Sequence, residues 1–244
     1  MEDALIMQLF LLSNGFFTLD KSLVVYMKYM GQPYDAALKP LLVFTDNGEK
    51  VLIDTGAGEL TDAQKKSFPV KRKEDQTLTV QLLKHGMKPE DIDFVINTHL
   101  HFDHCGNNRL FTNARFIVQQ AELKYAYEPE RFQQVAYNRE LFDVEGLNYT
   151  AVSGQSQVCQ EVSVIPTSGH SIGHQSVIIE GDDHKKYVYC GDAAPIRENL
   201  ERRNIPGILY NAHEALEAID RLRKIENPVY IFSHDNEQLT LSAR

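Results

Sequence analysis

The chain has 244 residues, of which 43% are hydrophobic, and a formal net charge of −9. This length and composition suit one globular domain over residues 1–244, and the negative charge argues against a nucleic-acid surface, which needs a basic field. The acidic start Met1-Glu2-Asp3 is unlike a secretory signal and the apolar run at residues 9–12 is too short to span a membrane, so we expect a cytoplasmic protein that binds neither nucleic acid nor membrane.

The first half of the chain begins with strand patterns and continues with helical ones. The predicted strands of this half lie at residues 5–12, 23–26, 41–45 and 50–54. The sequence Asp46-Asn47-Gly48 between the last two is typical of a hairpin turn. Apolar residues at helical spacing then predict helices at residues 77–85 and 121–127.

The second half alternates strands with one long helix. Strands are predicted at residues 162–166, 186–190 and 228–232, with a hairpin at Gly181-Asp182-Asp183 before the second of them. The helix at residues 212–225 has apolar residues at near-helical spacing along one face. Asn211 and Glu214 at its start resemble a capping box, which marks its N-terminus.

Four side chains that can bind metal lie within six positions directly after the apolar run at residues 94–96. They are His99, His101, Asp103 and His104. At the end of a strand, residues two apart point the same way, so His99 and His101 can present two imidazoles to one ion. Asp103 and His104 fall on the following turn, where an imidazole and a carboxylate can serve a second ion.

Three further strand ends each supply another candidate ligand. His170 follows the strand at residues 162–166 after a turn at Gly169, Asp192 follows the next strand, and His234 follows the last one. Any one of these alone is typical of a capping or solvent-facing residue. Four strand ends that each deliver a ligand instead indicate an assembled site, because layered α/β folds build their sites at strand ends.

These motifs carry a family resemblance over the length of the chain. The sequence Leu52-Ile53-Asp54-Thr55-Gly56, the H-x-H-x-D-H motif, Gly169-His170, Gly191-Asp192 and Ser233-His234 occur in the order of the metallo-β-lactamase superfamily. Within that superfamily, residues 99–107, 167–176 and 197–200 look most like the N-acyl homoserine lactone lactonases. The resemblance implies an α/β fold (α+β, four layers), the αββα sandwich of the metallo-β-lactamase type, which suits the predicted elements.

The resemblance also implies a division of the ligands between two divalent metal ions. It assigns His99, His101 and His170 to one ion, Asp103, His104 and His234 to the other, and Asp192 as the bridge between them. Asp54 is implied to be a structural residue behind the metal loop, and we interpret His174 as a support rather than a ligand. Zinc is the expected metal, and iron, cobalt and manganese are alternatives that the same donors accept.

The implied activity is the opening of a lactone ring, with N-acyl homoserine lactone as the expected substrate of a quorum-quenching lactonase. A water held between two divalent ions is acidified enough to supply a bridging hydroxide near neutral pH, and this hydroxide attacks the carbonyl. The leaving alkoxide needs a proton, and Asp103 is the expected catalytic residue that delivers it. The expected partner is a small-molecule lactone or ester, and a homodimer is among the oligomeric states left open.

The chain departs from the lactonase pattern at one position. The compared lactonases carry a tyrosine three residues after the bridging aspartate, where this chain has Pro195, which cannot donate a hydrogen bond to a carbonyl. Losing such a donor costs on the order of 3 kcal/mol in a preorganised site. Tyr26, Tyr29 and Tyr210 are candidate replacements, and Phe68 with the loop at residues 205–207 are candidates for lining an acyl-chain groove.

The same motifs are compatible with several other functions. A dinuclear esterase or phosphotriesterase is the nearest alternative, and a thioester hydrolase is another, although only ten residues follow His234 where glyoxalase II has a helical domain. A non-hydrolytic di-metal redox protein is less expected, because His101 stands where the flavodiiron members carry glutamate. Cys105, Cys159 and Cys190 are an odd number without close pairing, which favours reduced thiols.

Overall fold

The computed structural model describes residues 7–181 and 184–241. In chain order its strands are β1 (Gln8–Leu11), β2 (Phe16–Asp20), β3 (Pro33–Ala37), β4 (Leu41–Phe44), β5 (Lys50–Ile53), β6 (Val70–Lys71), β7 (Phe94–Ile96), β8 (Arg115–Gln119), β9 (Asn148–Val152), β10 (Ser156–Gln157), β11 (Val162–Pro166), β12 (Gln175–Glu180), β13 (Lys186–Tyr189) and β14 (Pro228–Ile231). Its α-helices are α1 (Asp62–Ser67), α2 (Leu78–Leu83), α3 (Gln120–Tyr127), α4 (Arg139–Phe142), α5 (Arg197–Glu201) and α6 (Ala212–Arg223).

The strands form three sheets. A six-stranded sheet has the order β1-β4-β5-β7-β8-β9, a five-stranded sheet has the order β10-β11-β12-β13-β14, and a small sheet has the order β3-β2-β6. In the six-stranded sheet, β5, β7, β8 and β9 pair in parallel, and in the five-stranded sheet β13 and β14 do so. Parallel strands end at the same edge of a sheet, so the segments that follow them are brought together there.

The two large sheets pack face to face. Along β4 and β5, the side chains of Leu41, Val43, Val51 and Ile53 share a core with residues of the five-stranded sheet, while Leu42 and Leu52 face the opposite side. Successive side chains of a strand point to opposite faces of the sheet, and here the residues on both faces are apolar. Both large sheets therefore need a covering layer on their outer faces.

Helices supply these outer layers. Leu78 and Leu82 of α2 are buried on the outer face of the six-stranded sheet. Ile219 and Leu222 of α6 are buried with Val188 of β13 on the outer face of the five-stranded sheet. The result is the expected αββα sandwich. Within residues 7–181 and 184–241, no helix is long and apolar enough to cross a membrane.

Most predicted elements are found with shifted ends, and one prediction is wrong. The predicted strand at residues 23–26 is a short 3-10 helix, Lys21–Leu23, followed by turns. The Asp20 side chain accepts hydrogen bonds from the backbone amides of Ser22 and Gly31, which folds the segment back on itself. Val24 and Val25 are still buried, so their apolar character reflects burial rather than pairing in a sheet.

The turn predictions agree with the structure where it describes them. The expected capping box of α6 is found only in part, because the Glu214 side chain accepts from the Asn211 side-chain amide and not from its backbone amide. β4 and β5 pair antiparallel across the turn at residues 46–48, and the Asn211 side chain accepts from the amides of His213 and Glu214 at the start of α6. Asp182 and Asp183 of the predicted hairpin lie outside the described residues, although β12 and β13 pair antiparallel on either side of them. Residues 1–6, with the acidic start and the beginning of the first predicted strand, also lie outside.

Candidate metal centre

The strand ends bring the candidate ligands to one place. Asp54 directly follows β5, and His99 follows its parallel neighbour β7 after two residues. Asp192 and His234 follow the parallel strands β13 and β14. His170 lies on the turn after β11, where Gly169 has a φ of +130° and a Cβ would lie 2.1 Å from the Ala215 amide nitrogen of α6. All seven predicted ligands are buried.

His99, His101 and His170 form one group of nitrogen atoms. One ring nitrogen from each lies within 4.8 Å of the others. His101 Nδ1 is 3.0 Å from His170 Nε2. These are the three side chains that the resemblance assigns to one ion.

Asp103, His104 and His234 form a second group with the same spacing limit of 4.8 Å. Asp103 Oδ2 is 3.5 Å from His104 Nε2 and 3.4 Å from His234 Nε2. The two imidazole Nε2 atoms are 3.3 Å apart. This group contains two nitrogen donors and one carboxylate oxygen.

The Asp192 carboxylate lies between the two groups. Its Oδ1 is 3.4 Å from His104 Nε2 and 3.2 Å from His234 Nε2, while its Oδ2 is 3.5 Å from His170 Nε2. Ser233 Oγ donates a 2.7 Å hydrogen bond to the same Oδ1. Each carboxylate oxygen therefore faces a different group, as a bridging ligand requires.

The donor atoms fit divalent cations. His170 Nδ1 lies 2.9 Å from the Ile208 carbonyl oxygen and His234 Nδ1 lies 2.8 Å from that of Ala37, and donating to a carbonyl leaves the lone pair on Nε2, which points into the site. His99 Nε2 is buried and has no hydrogen-bond partner among the described residues. Metal-binding histidines use one ring nitrogen for an outer partner in this way and the other for the ion. Imidazole and carboxylate donors suit zinc, iron, cobalt and manganese.

The electrostatic environment favours the ligating forms. Burial lowers the pKa of His99 and His101 well below the usual value, so both imidazoles are neutral. Burial raises the pKa of Asp192, but the neighbouring imidazoles, His234 first, outweigh it and hold the pKa well below the usual value. Burial lowers the pKa of His104, but carboxylates, Asp192 first, outweigh it and hold the pKa well above the usual value. The carboxylates around His104 therefore favour positive charge near them, whether a proton or a metal cation.

Asp54 and His174 support the ligands from behind. Asp54 Oδ2 is 2.7 Å from His104 Nδ1, and Asp54 Oδ1 accepts a 2.8 Å hydrogen bond from the Thr98 amide. Asp54 has a φ of +57°, a left-handed conformation that aspartate tolerates better than most residues. His174 Nε2 accepts a 2.9 Å hydrogen bond from the Asp192 amide, with its Nδ1 2.9 Å from Thr167 Oγ1. His174 is in neither ligand group.

An apolar cavity opens beside the two groups. Its polar lining consists of His101, Asp103, His170, Asp192 and His234. The rest of its lining is Phe17, Leu19, Leu23, Val24, Phe68, Phe102, Ala136, Pro195, Pro206 and Ile208. A mostly apolar pocket with a few convergent polar groups is the usual form of a small-molecule site.

The candidate tyrosine donors are not in this cavity, so that expectation is corrected. Tyr26 is 43% exposed to solvent, the Tyr29 hydroxyl donates to Glu198, and the Tyr210 ring packs against Tyr125. None of the three is among the cavity-lining residues. The folded-back segment after β2 directs Leu23 and Val24 to the cavity instead.

The candidate groove residues are better placed. Phe68 and Pro206 line the cavity as expected. Pro195 lines it too, and its carbonyl oxygen accepts a 3.0 Å hydrogen bond from the His234 amide. Sequence reasoning missed Phe17 and Phe102, whose rings lie 5.8 Å and 5.6 Å from that of Phe68. For Phe102, its position inside the H-x-H-x-D-H motif is a sequence feature that indicates a place beside the site. No such feature marks Phe17.

The cysteines take no part in this chemistry. Cys105, Cys159 and Cys190 are free. Burial raises the pKa of the Cys105 thiol well above its usual value and raises that of Cys190 as well. Both are protonated, buried side chains, which agrees with the interpretation of reduced structural thiols.

Comparisons with known proteins identify relatives of the chain. A family model described as the metallo-beta-lactamase superfamily matches residues 41–234. An N-acyl homoserine lactonase of Bacillus cereus is 35% identical over 202 residues, which are 82% of this chain and 78% of that protein. The N-acyl homoserine lactonase AttM of Rhizobium radiobacter is 31% identical over 68% of this chain and 64% of its own length.

Solved structures agree with these matches. An N-acyl homoserine lactone hydrolase with the product N-hexanoyl-L-homoserine bound at its catalytic metal centre superposes with a TM-score of 0.84 and 30% identity, and the match covers 96% of each chain. The dizinc quorum-quenching lactonase AidC superposes with a TM-score of 0.73 over 96% of this chain and 89% of its own. At 18% identity, the second match supports the fold alone.

Proposed function

Since the chain belongs to the metallo-beta-lactamase superfamily, in the branch of the N-acyl homoserine lactonases, and is a metal-dependent hydrolase, we propose that it opens the ring of N-acyl homoserine lactones. The observation that carries this proposal is the convergence of seven candidate ligand side chains beside an apolar cavity that five of them line. The cavity supplies an apolar wall for an acyl chain. The histidine and aspartate side chains of its lining would contact the lactone ring.

We propose the following ligand sets. His99, His101 and His170 hold one divalent cation, Asp103, His104 and His234 hold a second, and Asp192 joins them. Cations bound there would supply Lewis acidity and a hydroxide nucleophile near neutral pH. We expect zinc, with iron, cobalt and manganese as alternatives for the same donors.

Asp103 is the proposed proton carrier. Ring opening leaves an alkoxide that needs a proton, and Asp103 and Asp192 are the two carboxyl groups in the cavity lining. Asp192 is surrounded by imidazoles that hold its pKa well below the usual value, so it stays a carboxylate. Asp103 Oδ2 faces the two imidazoles of one group only, and we propose Asp103 as the residue that takes up a proton and returns it to the leaving oxygen.

The cavity wall supports a preference among acyl chains. Apart from the five histidine and aspartate side chains of the proposed ligand sets, the lining residues carry only hydrocarbon side chains. A carbonyl or hydroxyl substituent on the chain would lose its hydrogen bonds to water there, at a cost of about 1–3 kcal/mol. We propose that the enzyme prefers unsubstituted acyl chains.

The structure also supports proposals on the domain organisation and on the location of the protein in the cell. The two large sheets share one core, which supports a single domain over residues 1–244. The three free cysteines suit a reducing compartment, and on that ground we propose a cytoplasmic location.

The test is a substrate panel assayed with metal-loaded protein. N-acyl homoserine lactones, a thioester and a phosphotriester are each incubated with the enzyme, and acid release is followed at constant pH. We expect turnover of the lactones to exceed that of the other two classes. Turnover of the thioester or the phosphotriester without turnover of any lactone would overturn the proposal.

A further inference from the structure

A fully buried carboxylate lies close to the metal centre but outside the proposed ligand sets. Glu122 stands in the first turn of α3 and has no solvent-exposed surface. Full burial of a glutamate is rare, because the charged form loses its hydration and must be compensated. The partners of this side chain therefore indicate why it is there.

Glu122 accepts four hydrogen bonds, two on each oxygen. Oε1 accepts from the Leu100 amide at 3.0 Å and from the Tyr137 hydroxyl at 2.9 Å. Oε2 accepts from the Ser171 hydroxyl at 2.7 Å and from the Gly173 amide at 3.0 Å. Leu100 lies between His99 and His101, and Ser171 follows His170. One oxygen thus holds the first metal-binding loop and the other holds the second.

Close packing reinforces these bonds. A Cβ on Gly173 would lie 2.2 Å from the Glu122 backbone nitrogen, so the loop that carries His170 rests directly on the first turn of α3. The Tyr137 ring, whose hydroxyl donates to Glu122, packs 4.7 Å from the His101 ring. Two of the donors to Glu122 are backbone amides, which cannot turn to find other acceptors.

The support from Asp54 is different. Asp54 contacts His104 directly, and it also binds Thr98, whose Oγ1 lies 3.0 Å from His99 Nδ1, so it supports a ligand of each group. Glu122 is hydrogen-bonded to the loops of His99, His101 and His170 and to Tyr137, whose ring packs on His101. Of these two buried carboxylates, Glu122 is the one that joins the loop of His99 and His101 to the loop of His170.

We infer that Glu122 is the positioning residue for the metal site formed by His99, His101 and His170, a role that rests on the proposed ligand sets. A glutamine in its place keeps the size of the side chain but directs an NH2 group at two donors. The hydroxyl of Ser171 or Tyr137 can rotate to accept a hydrogen bond, whereas the amide of Leu100 or Gly173 cannot. One of the two loops then loses its backbone hydrogen bond to residue 122.

The experiment is a Co²⁺ titration of the full chain, stripped of metal and followed by visible absorption. For Glu122→Gln we expect one site at the wild-type affinity and a second site weakened about 10–100-fold, the usual effect of losing an outer partner of a metal ligand. Glu128→Gln is the matched control, since it makes the same change at an exposed position of the same region. We expect its titration to match that of the wild type.

Milder variants keep the inference testable if Glu122→Gln fails to fold, as judged by circular dichroism. Ser171→Ala and Tyr137→Phe each remove one donor to Glu122, and we expect each to weaken one site several-fold. Folded variants that bind both ions as the wild type does would overturn the inference, and a wild type that binds fewer than two ions would overturn its premise. Two-ion binding without lactone hydrolysis would instead contradict only the proposed substrate.

Discussion

Asp103 and Asp192 share the cavity wall but differ in their contacts. Asp192 faces imidazoles with both oxygens, whereas Asp103 Oδ2 faces the two imidazoles of one group only. The sequence predicts both as candidate ligands because each follows a strand. Local patterns alone do not show which one has imidazoles at both oxygens, because those imidazoles come from three distant segments.

The proposed proton-carrier role of Asp103 predicts the effect of Asp103→Asn. An amide cannot take up and return the proton, so we expect kcat for lactone opening to fall by about 10²–10⁴-fold with the fold retained. Steady-state kinetics and circular dichroism of the purified variant measure the two quantities. Asp62→Asn, at an exposed position in α1, is the control and should behave as the wild type. A folded Asp103→Asn variant with wild-type kcat would exclude the role.

At the scale of elements, two short segments build much of the cavity wall. The segment after β2 contributes Leu23 and Val24, and the loop before α6 contributes Pro206 and Ile208. Backbone hydrogen bonds from Gly207 and Ile208 to the Leu23 carbonyl join the two segments. The apolar run at residues 23–26 predicts a strand, but its place in the cavity wall depends on a loop that is about 180 residues away in sequence.

This wall predicts selectivity between acyl chains. We expect kcat/KM for an unsubstituted acyl homoserine lactone to exceed that for its 3-oxo analogue by roughly tenfold, because the hydrocarbon side chains of the wall offer the extra carbonyl no hydrogen bond. Val24→Thr places a hydroxyl in the wall at nearly constant side-chain volume, so the ratio should decrease in that variant. Competition between the two substrates measures the ratio directly. Equal rates on both substrates in the wild type would contradict the proposed wall.

At the scale of the whole molecule, the candidate site joins distant parts of the chain. Its ligands extend from His99 to His234 and come from both large sheets of the sandwich. The unfolded chain cannot assemble such a set. Ions bound there stabilise the native state by mass action, and about 2.7 kcal/mol is gained at a free ion concentration one hundred times Kd.

Removal of metal is therefore expected to lower the thermal stability. For a chain of this length, about 2.7 kcal/mol corresponds to a decrease in Tm of roughly 5–10 °C. Differential scanning calorimetry of chelator-treated and zinc-reloaded protein measures the difference, and reloading should restore the original Tm. An unchanged Tm after verified loss of metal would show that the ions do not bind at the junction of the two sheets.

The sequence by itself determined the chemistry of the candidate ligands and the main layers of the fold. The motif from His99 to His104 and the strand-end positions of His170, Asp192 and His234 are local patterns, and so is the apolar face of α6. Such patterns are readable because the period of a strand or helix is set by its own backbone.

Only the tertiary structure decided which side chains meet. It puts Phe17 and Val24 in the cavity wall, leaves Tyr26, Tyr29 and Tyr210 outside it, and buries Glu122 under the two loops of the candidate ligands His99, His101 and His170. No sequence window contains these contacts, because they depend on burial and on the convergence of segments from separate sheets. The type and spacing of residues determine which side chains can bind an ion, and packing determines which of these side chains lie close enough together to do so.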